Sequence, residues 1–574
     1  MILSVIGLLT FLTFFRLFIN LIIRFCTLRS LYKLASMYLN QKHKVIFTVL
    51  SIFPFIINAQ SKGLDERIND AFMPFAIWWE SLIFTEIIIA GFGIPIVLIL
   101  LLSGALFFTL YFGFVNVRRF PTAIQVVRGK YDELERSNIS LITNVHEIEG
   151  DLVDTIKNES HHGEVNHFQA LATAVSGTVG LGNIAMVAVA ISIGGPGATF
   201  WMVIAGLLGM SSKFVECTLG VKYRDIDQEG NVFGGPMYYL SRGLREQGFK
   251  HFGKLLAIVF SVLCIGASFG GGNAFQTNQA AAQIIERFGF DGSASGSIVG
   301  LVFAIFVGIV IIGGIKRIAK VTEKIVPFMA VLYVAAAMFI IFSNIGYVDN
   351  AFSLIFNEAF TPRATITGGF IGVMIQGFRR AAFSNEAGAG SAAIAHSAVN
   401  TKFAASEGLV GLLEPFIDTV VICTMTAIVI IMFNVDGAFM YGDVVNGQAL
   451  MADGSRVGGV NLTSLAFDDA IPGSSYILVI AVALFAFSTI LSWSYYGLQA
   501  WKYLFGRGKL IDLTYKIIFL VFTVLGAAVT LDAVIKFSDA MILALVFPNM
   551  IGLLFLFPKV GEELKRYMKI IKSK

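Results

Sequence analysis

The sequence has few charged residues and few cysteines, and both shortages limit what the protein can be. Charged side chains make up 14% of the 574 residues and hydrophobic ones 56%, with a mean hydropathy of +0.77. Soluble domains carry about 25% charged residues, so this composition indicates a polytopic membrane protein. The cysteines lie singly in apolar stretches, which excludes a disulfide framework and a cysteine zinc site; they are Cys26, Cys217, Cys264 and Cys423.

The sequence also lacks the motifs of intramembrane enzymes. A zinc protease needs a His-Glu-x-x-His pair on one helical face, and the nearest segment, 146–150, has no second histidine and lies in a charged loop. His161, His162 and His167 lie at a loop boundary, where we interpret them as capping or solvating the chain rather than binding a metal. We therefore expect a protein that is not an enzyme, has the lipid bilayer and a small solute as partners, and binds no nucleic acid.

The N-terminal region has the layout of a targeting segment. Residues 1–36 are interpreted as an upstream extension, and Met37 begins a stretch with a basic flank, the short apolar run 45–57 and a small polar end. This order is that of a secretory signal peptide, so we expect the mature chain to begin near Ser61; two additional spans are the alternative. Residues 68–84 are amphipathic and rich in aromatics, as in segments that lie in the membrane interface.

Apolar runs of about 20 residues predict membrane-spanning helices. Eleven are expected, at 94–116, 168–191, 198–220, 255–275, 298–314, 325–343, 366–397, 408–432, 475–500, 513–532 and 537–558. Lys and Arg concentrate in alternate loops and in the tail, at 118–130, 222–250, 316–324, 502–509 and 559–574. The positive-inside rule places these segments in the cytoplasm, which predicts a cell (inner) membrane protein with its N-terminus outside and its C-terminus inside.

The second predicted span contains a run that is unfavourable in a helix. Residues 176–185 read Ser-Gly-Thr-Val-Gly-Leu-Gly-Asn-Ile-Ala, and each glycine costs about 1 kcal/mol relative to alanine in a helix interior. We predict an interruption beside a polar cavity, because irregular backbone is stable at membrane depth only where protein or water surrounds it. A close helix crossing at small residues is the alternative. A dinucleotide fingerprint is not supported, since no strand precedes the glycines.

The seventh predicted span carries charges at membrane depth. Residues 377–391 include Arg379, Arg380 and Glu386, and each charge costs about 2.5 to 3.5 kcal/mol in a membrane unless it faces protein or water. We predict a second interruption here; a shorter span with both arginines in a loop is the alternative. Glu386 is interpreted as pairing with Arg379 or Arg380 to hold the break open, and a proton or cation site is the other interpretation.

The positions of the two interrupted helices predict an inverted repeat. Without the first span, ten remain, and each set of five begins with an interrupted helix. Because five is odd, the two cross in opposite senses, as in secondary transporters whose paired broken helices form the substrate and ion site. The expected all-α organisation comprises an extension and signal peptide (1–60), an interfacial segment (61–93), an extra span and loop (94–167), two repeats (168–365 and 366–558) and a basic tail (559–574).

Several motifs occur in order between residues 167 and 497. They are His167 to Leu171, Gly194 to Ala198, Gly209-Met210, Lys222 to Arg224, Gly234 to Tyr238, Phe383 to Ser391, and Ser488-Thr489 with Trp493 to Gly497. Together they resemble the alanine or glycine:cation symporter family, over nearly all of residues 94–558. The resemblance implies the five-plus-five inverted-repeat fold of neurotransmitter:sodium symporters and sodium-driven uptake of small neutral amino acids such as alanine or glycine. The run Val179 to Asn183 is also similar to the broken first helix of those symporters.

Helix breaks offer donors to a carboxylate and free carbonyls to sodium, and the resemblance implies which residues take part. Those implied for the substrate are Thr178, Gly180, Gly182, Asn183, Gln276, Phe383 and Trp493. Those implied for sodium, the co-transported ion, are Ser176, Val179, Asn183, Ser488 and Thr489. Hydroxyls that bond to their own helix, amides that join helices and aromatics that only pack are the alternatives.

Two positions depart from the family pattern. Met186 lies where glycine is usual and Leu498 where glutamate is common, which leaves the exact substrate and ion stoichiometry open. A proton-coupled symporter of the same fold is the alternative function. A channel, with passive flux, and a receptor, with binding but no flux, are the alternatives from other classes. We expect a monomer.

Overall fold

The computed structural model describes residues 63–89, 91–133, 163–227, 230–290, 292–363 and 365–572. The predicted extension and signal peptide, together with His161 and His162, lie outside these residues. The described chain is predominantly helical, with three small antiparallel sheets.

The N-terminal part combines one amphipathic helix with a hairpin and the first apolar helix. Its elements are α1 (Leu64–Ile83), β1 (Glu86–Ile89), β2 (Phe92–Pro95), α2 (Ile96–Tyr111), α3 (Val115–Arg118) and α4 (Phe120–Val127). The amphipathic stretch predicted at 68–84 is thus helical, and its position relative to a membrane stays a prediction.

The next part begins with a helix that has a complete N-terminal cap. Asn166 Oδ1 accepts a hydrogen bond from Gln169 N at 2.8 Å, and Gln169 Oε1 accepts one from Asn166 N at 3.1 Å, which satisfies two otherwise unpaired donors. The elements are α5 (His167–Thr178), a π-helical turn (Gly182–Met186), α6 (Val187–Gly194), α7 (Ala198–Lys222), β3 (Asp225–Ile226), β4 (Val232–Phe233), α8 (Pro236–Glu246), α9 (Lys250–Phe269), a second π-helical turn (Gly270–Ala274), α10 (Phe275–Phe288), α11 (Ser295–Ile311) and α12 (Gly314–Ser343).

The remaining part contains the second interrupted helix and the C-terminal helices. A 3₁₀ turn (Ile345–Tyr347) precedes α13 (Val348–Phe360), α14 (Gly369–Asn385), α15 (Ala392–His396), α16 (Ala404–Gly411), α17 (Leu413–Pro415), a π-helical segment (Phe416–Cys423) and α18 (Thr424–Phe433). A three-stranded sheet follows, of β5 (Phe439–Val445), β6 (Gln448–Met451) and β7 (Arg456–Gly458). The chain ends with α19 (Val460–Ala470), α20 (Ser475–Phe505), α21 (Lys509–Ala528), α22 (Leu531–Ala544) and α23 (Val546–Lys572).

Seven helices or continuous helix pairs in the described residues are long and apolar enough to cross a membrane, and an eighth results if α5 and Gly182–Gly194 form one span. The protein is therefore a helical multi-pass membrane protein. The eleven spans and the inverted repeat stay predictions. The count is lower because α2, α11 and α14 have 16, 17 and 17 residues, fewer than the roughly 20 that span a bilayer.

Two helices present an apolar outer surface that suits contact with lipid. On α11, Leu301, Ile305 and Phe306 are more than half exposed, as are Val331 and Phe339 on α12. In contrast, the helices around the two interruptions bury most of their side chains, including polar ones. The interior of the protein, rather than its surface, therefore carries the polar groups expected of a transport site.

Several basic segments meet at one end of the helices. Lys222 on α7 pairs with Glu563 on α23 at 2.6 Å, and Arg507 pairs with Asp225 at 2.9 Å. A cavity of about 620 Å³ opens at the same end and is lined by Lys316, Lys502 and Arg507 among others. We call this region the basic end; its cytoplasmic location stays a prediction.

Candidate substrate and ion site

The first predicted interruption is present. α5 ends at Thr178, and the chain returns to helical geometry at Gly182, with a bend of 49° between the two parts. A Cβ atom on Gly180 would lie 2.4 Å from Thr489 Oγ1 and 3.0 Å from Gln276 Oε1. Only glycine leaves room for both neighbours, so the break packs closely against α10 and α20.

Two amide side chains cap the backbone N–H groups that this break frees. Leu181 N donates to Gln276 Oε1 at 2.9 Å, and Gly180 N donates to Asn183 Oδ1 at 2.9 Å. Gln276 Nε2 in turn donates to the Gly271 carbonyl at 2.9 Å. Exposed N–H groups of this kind attract carboxylates, and here neutral oxygens occupy them. A carboxylate binds them only by displacing an amide oxygen or by sharing its donor.

The second predicted interruption is also present. α14 ends at Asn385 and α15 begins at Ala392. Between them, Glu386, Gly388 and Gly390 have φ angles of 54°, 94° and 83°. The left-handed conformation costs a residue with a side chain roughly 1–2 kcal/mol, so glycine suits two of these positions and Glu386 needs compensating contacts.

Contacts to Glu386 provide that compensation, but they are not the predicted ones. Glu386 accepts a hydrogen bond from Trp493 Nε1 at 3.0 Å and another from Ser391 Oγ. The prediction that Glu386 pairs with Arg379 or Arg380 is therefore wrong. The carboxyl group joins the second break to α20, which also packs against the first break.

Both arginines pair with a carboxylate on a different helix. Arg379 Nε and Arg380 Nη2 lie 2.8 and 2.7 Å from Oδ2 of the buried Asp539 on α22. Arg379 also pairs with Glu80 on α1, at 2.8 Å. Both arginines belong to α14, so the alternative that places them in a loop is wrong as well. Sequence spacing could not identify Asp539, because it lies far along the chain.

A carboxyl group that the sequence analysis did not single out joins the two broken helices. Asp418 is fully buried in the π-helical segment that follows α17. It accepts hydrogen bonds from Asn183 Nδ2 at 2.6 Å, Ser384 Oγ at 2.8 Å and Thr419 Oγ1 at 2.7 Å. All three donors are neutral. An ionised Asp418 therefore presents a negative charge to the space between the breaks.

Residues predicted for sodium contact one another beside the first break. Ser176 Oγ lies 3.0 Å from the Ser488 carbonyl oxygen and 2.5 Å from Ser492 Oγ. Ser488 Oγ donates to the Phe485 carbonyl at 3.0 Å, within its own helix, as the alternative interpretation has it. Thr489 Oγ1 is buried and has no hydrogen-bond partner among the described residues.

These groups fit a sodium ion. Hydroxyls and the carbonyls freed at a broken helix coordinate sodium in transporters, and Val179 directly follows the last residue of α5. The unpaired Thr489 hydroxyl faces Gly180, so an oxygen ligand without a protein partner lies directly at the break.

The two aromatic residues predicted to contact substrate lie on either side of the glycine turn before α10. The Phe383 ring lies 5.2 Å from that of Phe275, edge to face, and a Cβ on Gly182 would lie 3.6 Å from it. A Cβ on Gly272 would lie 2.1 Å from Trp493 Cγ. The two rings therefore line the region of the first break and the glycine turn.

Three other positions singled out by the sequence make contacts of their own. Thr178 Oγ1 donates within α5, 3.3 Å from the Ala174 carbonyl. The Met186 sulfur accepts a hydrogen bond from Arg380 Nη1 at 3.1 Å, so its side chain points to the second broken helix. Leu498 lines the cavity at the basic end.

Comparison with known proteins assigns the family. A model of the sodium:alanine symporter family matches residues 83–574. This chain belongs to that family. The sodium/alanine symporter AgcS of Methanococcus maripaludis is 38% identical over 480 residues, which are 83% of this chain and 95% of that relative. The amino-acid carrier protein AlsT of Bacillus subtilis is 33% identical over 400 residues, 69% of this chain and 73% of that protein.

Solved structures are less similar. The structure of MhsT in complex with L-phenylalanine covers 70% of this chain and all of MhsT, at 13% identity and a TM-score of 0.45, which is too low to define the fold further. The family assignment makes the protein an amino acid:cation symporter of a multi-pass membrane type, and a transporter of this kind is not an enzyme.

The side chains at and between the two breaks are closed off from solvent. Asn183, Gln276, Asp418 and Thr489 are all at most 3% exposed. The described structure is therefore a closed arrangement around these groups, and access from either side requires helices to move.

Proposed function

We propose that the protein is a sodium-coupled symporter that imports alanine, glycine or both by alternating access around the two broken helices. The proposal rests chiefly on the contacts of Asp418. Its carboxyl group accepts hydrogen bonds both from Asn183 at the first break and from Ser384 on the second broken helix. Membership in the sodium:alanine symporter family and the similarity to the sodium/alanine symporter AgcS support it.

In this proposal the carboxylate and the ammonium group of the amino acid bind at separate places. The substrate carboxylate binds the N–H groups of the first break, where Gly180 and Leu181 donate, and Gln276 and Asn183 rearrange to admit it. The ammonium group binds toward Asp418, whose present partners are neutral. Neutral amino acids match this pair of opposite charges.

The remaining predicted substrate residues limit the size of the side chain. Phe383 and Trp493 close the site around Gly182 and the glycine turn, which favours a hydrogen atom or a methyl group. Thr178 completes the predicted set from within α5.

The proposed sodium site uses oxygen atoms of Ser176, Val179, Asn183, Ser488 and Thr489. It is supported by the closeness of Ser176 to Ser488 and by the unpaired hydroxyl of Thr489. One sodium ion moving inward down a tenfold gradient and about 100 mV supplies about 3.7 kcal/mol. This energy is sufficient to concentrate a neutral amino acid several hundredfold.

The same proposal includes the arrangement in the membrane. The basic end is cytoplasmic, the C-terminus lies inside, and the mature N-terminus begins outside near Ser61 after signal cleavage. The protein functions as a monomer with five-plus-five inverted repeats. N-terminal sequencing of purified protein tests the cleavage, and an intact Met1 would contradict it.

Uptake of radiolabelled alanine and glycine into proteoliposomes tests the function. An inward sodium gradient is expected to drive accumulation above the external concentration, with no accumulation when sodium is equal on both sides. Flux without accumulation identifies a channel, and binding without flux identifies a receptor; either result contradicts symport.

Proton-coupled symport by the same fold is the second candidate. The observation that favours it is the buried carboxyl group of Asp418, because a proton neutralises a buried carboxylate just as an ammonium ion or a sodium ion does. The two candidates separate when the same liposomes receive a proton gradient without sodium. Accumulation driven by protons and indifferent to sodium overturns the sodium assignment.

A further inference from the structure

A row of buried ionisable side chains extends inward from the basic end, apart from the proposed substrate and sodium residues. It starts at His167, whose Nδ1 hydrogen-bonds Glu407, and Glu407 Oε1 lies 2.5 Å from His396 Nδ1. His396 Nε2 lies 3.7 Å from Glu414 Oε2, and Glu414 Oε1 lies 3.1 Å from Lys213 Nζ. These side chains come from α5, α16, α15, α17 and α7, and only His167 has measurable exposure, at 8%.

Two further glutamates complete the inner end of the row. Glu216 lies one helical turn after Lys213, and its Oε1 accepts a hydrogen bond from Asn549 Nδ2 at 2.8 Å. Glu386 accepts from Trp493 Nε1 and lies at the second break. Both carboxyl groups are buried and close enough to Lys213 to interact with its charge. We call the set the buried charge cluster; it comprises His167, Lys213, Glu216, Glu386, His396, Glu407 and Glu414.

The charges of this cluster do not balance unless it binds protons. One lysine faces four glutamates, so with neutral histidines and ionised carboxyl groups three negative charges lack a counterion. The positive charge of Arg224, which interacts with Glu407, compensates one of these negative charges. Two negative charges then remain without a counterion. An unpaired buried charge costs several kcal/mol, and a cluster at this depth therefore holds extra protons.

The groups that face the cluster from neighbouring helices do not supply the missing positive charge. Cys217 of α7 contacts His396, and the buried Tyr496 hydroxyl of α20 has no hydrogen-bond partner among the described residues. Tyr239 of α8 donates to Asn549 of α23. All of these groups are neutral, so within the described part of the protein they leave the negative charge of the cluster uncompensated.

We propose that Glu216 and Glu386 form a buried proton-binding site, and that the row from Glu414 to His167 conducts protons between this site and the basic end. The assignment follows from the partners of each carboxyl group. Glu407 and Glu414 touch histidine or lysine, whereas the hydrogen bonds to Glu216 and Glu386 come from neutral groups. One proton on each of these two glutamates balances the two negative charges that remain after Lys213 and Arg224 are counted.

The location of this site connects it to the movement of the helices. Glu386 holds the second break to Trp493, and the row links α5, α7, α15 and α16 at the basic end. When these elements separate, water reaches Glu386, and its proton leaves toward His167. The site acts whichever ion drives transport, so it does not depend on the sodium assignment.

Infrared spectroscopy of the purified full-length protein in detergent tests the proton-binding site. Protonated carboxyl groups absorb at a higher C=O stretching frequency than carboxylates do. At neutral pH the wild type is expected to show this band, and Glu216→Gln and Glu386→Gln are each expected to remove a separate component of it. Glutamine keeps the shape of the side chain and still accepts from Asn549 or Trp493. The control Glu563→Gln, in the partly exposed pair with Lys222, leaves the band unchanged.

A band that neither variant alters overturns the proposal. If Glu386→Gln fails to fold, the result for Glu216→Gln decides alone, because the new glutamine still accepts the hydrogen bond from Asn549. The conducting row is tested by a pH jump: Glu407→Gln is expected to slow the change of the band at least about tenfold, because a positioned proton donor is lost. Equal rates in the wild type and Glu407→Gln overturn that part. The measurement needs no transport, so its failure is distinct from failure of the proposed symport.

Discussion

The two broken helices contain similar glycine-rich runs, but glycine has a different role in each. At the first break the glycines do not adopt left-handed angles; Gly180 is needed because Thr489 and Gln276 approach it closely. At the second break Gly388 and Gly390 have positive φ angles, and the backbone turns sharply. Glycine provides space in the first helix and backbone conformation in the second.

The two breaks also differ in the chemical groups that they present. The first break presents backbone N–H groups that neutral amide oxygens cap, and a carboxylate binds there only by displacing or sharing with those oxygens. The second break places a carboxyl group, Glu386, in contact with the aromatic wall at Trp493. Asp418 lies between them and contacts both broken helices. Variants at these positions test whether the two breaks act separately or as one site.

The largest effect is expected at the carboxyl group that both broken helices share. Asp418→Asn removes the negative charge proposed to bind the substrate ammonium group. The ammonium group would then be buried without a counterion, which costs about 3–5 kcal/mol. We expect alanine uptake in proteoliposomes to fall at least about 10²-fold, with the protein still monodisperse in detergent. Asp468→Asn, in a partly exposed pair with Arg287, is the control and retains uptake. Normal transport by Asp418→Asn would remove Asp418 from the site.

The next effect concerns the amide that caps the first break. Gln276→Ala leaves the Leu181 N–H without its partner, and a buried unpaired donor costs about 1–3 kcal/mol. We expect uptake to fall about 10- to 100-fold while the folded protein remains extractable. Gln283→Ala is the matched control, since Gln283 lies on the same helix and bonds Ser464 instead. Equal losses in both variants would indicate a structural effect of α10 rather than a role in binding.

The positions of both breaks could be predicted because glycine and polar residues inside an apolar run are local features. The partners of the charged side chains could not, since Asp539 and Asp418 approach α14 only after the chain has folded. A carboxylate within the predicted span 408–432 was nevertheless a signal, because charges inside membrane helices are costly and are usually functional. The proposed substrate and sodium residues stay predictions, as does the inverted repeat.

Substitutions at the second break separate the effect of backbone strain from the effect of side-chain overlap. Gly388→Ala places a side chain at a φ angle of 94°, and its Cβ would lie 2.4 Å from Leu101 Cδ1 on α2. Strain and overlap together are expected to destabilise the protein by about 2–4 kcal/mol, measured as a lower unfolding temperature in detergent. Adding Leu101→Ala removes the overlap with Leu101 but neither the contact with Met550 Cε at 3.0 Å nor the strain, so only part of the stability returns. Complete recovery would show that the left-handed angle is not required.

The smallest effect is expected at the first break, where the cause is overlap alone. Gly180→Ala directs a methyl group at Thr489 Oγ1, 2.4 Å away, at a cost of about 1–3 kcal/mol. Because Gly180 has no positive φ angle, Thr489→Ala is expected to restore most of the unfolding temperature of Gly180→Ala, unlike the pair at the second break. Gly182→Ala, whose added Cβ meets its nearest neighbour only at 3.5 Å, is the control and unfolds at nearly the wild-type temperature. If Thr489→Ala fails to rescue Gly180→Ala, the first break also depends on backbone conformation, and the contrast between the two breaks is lost.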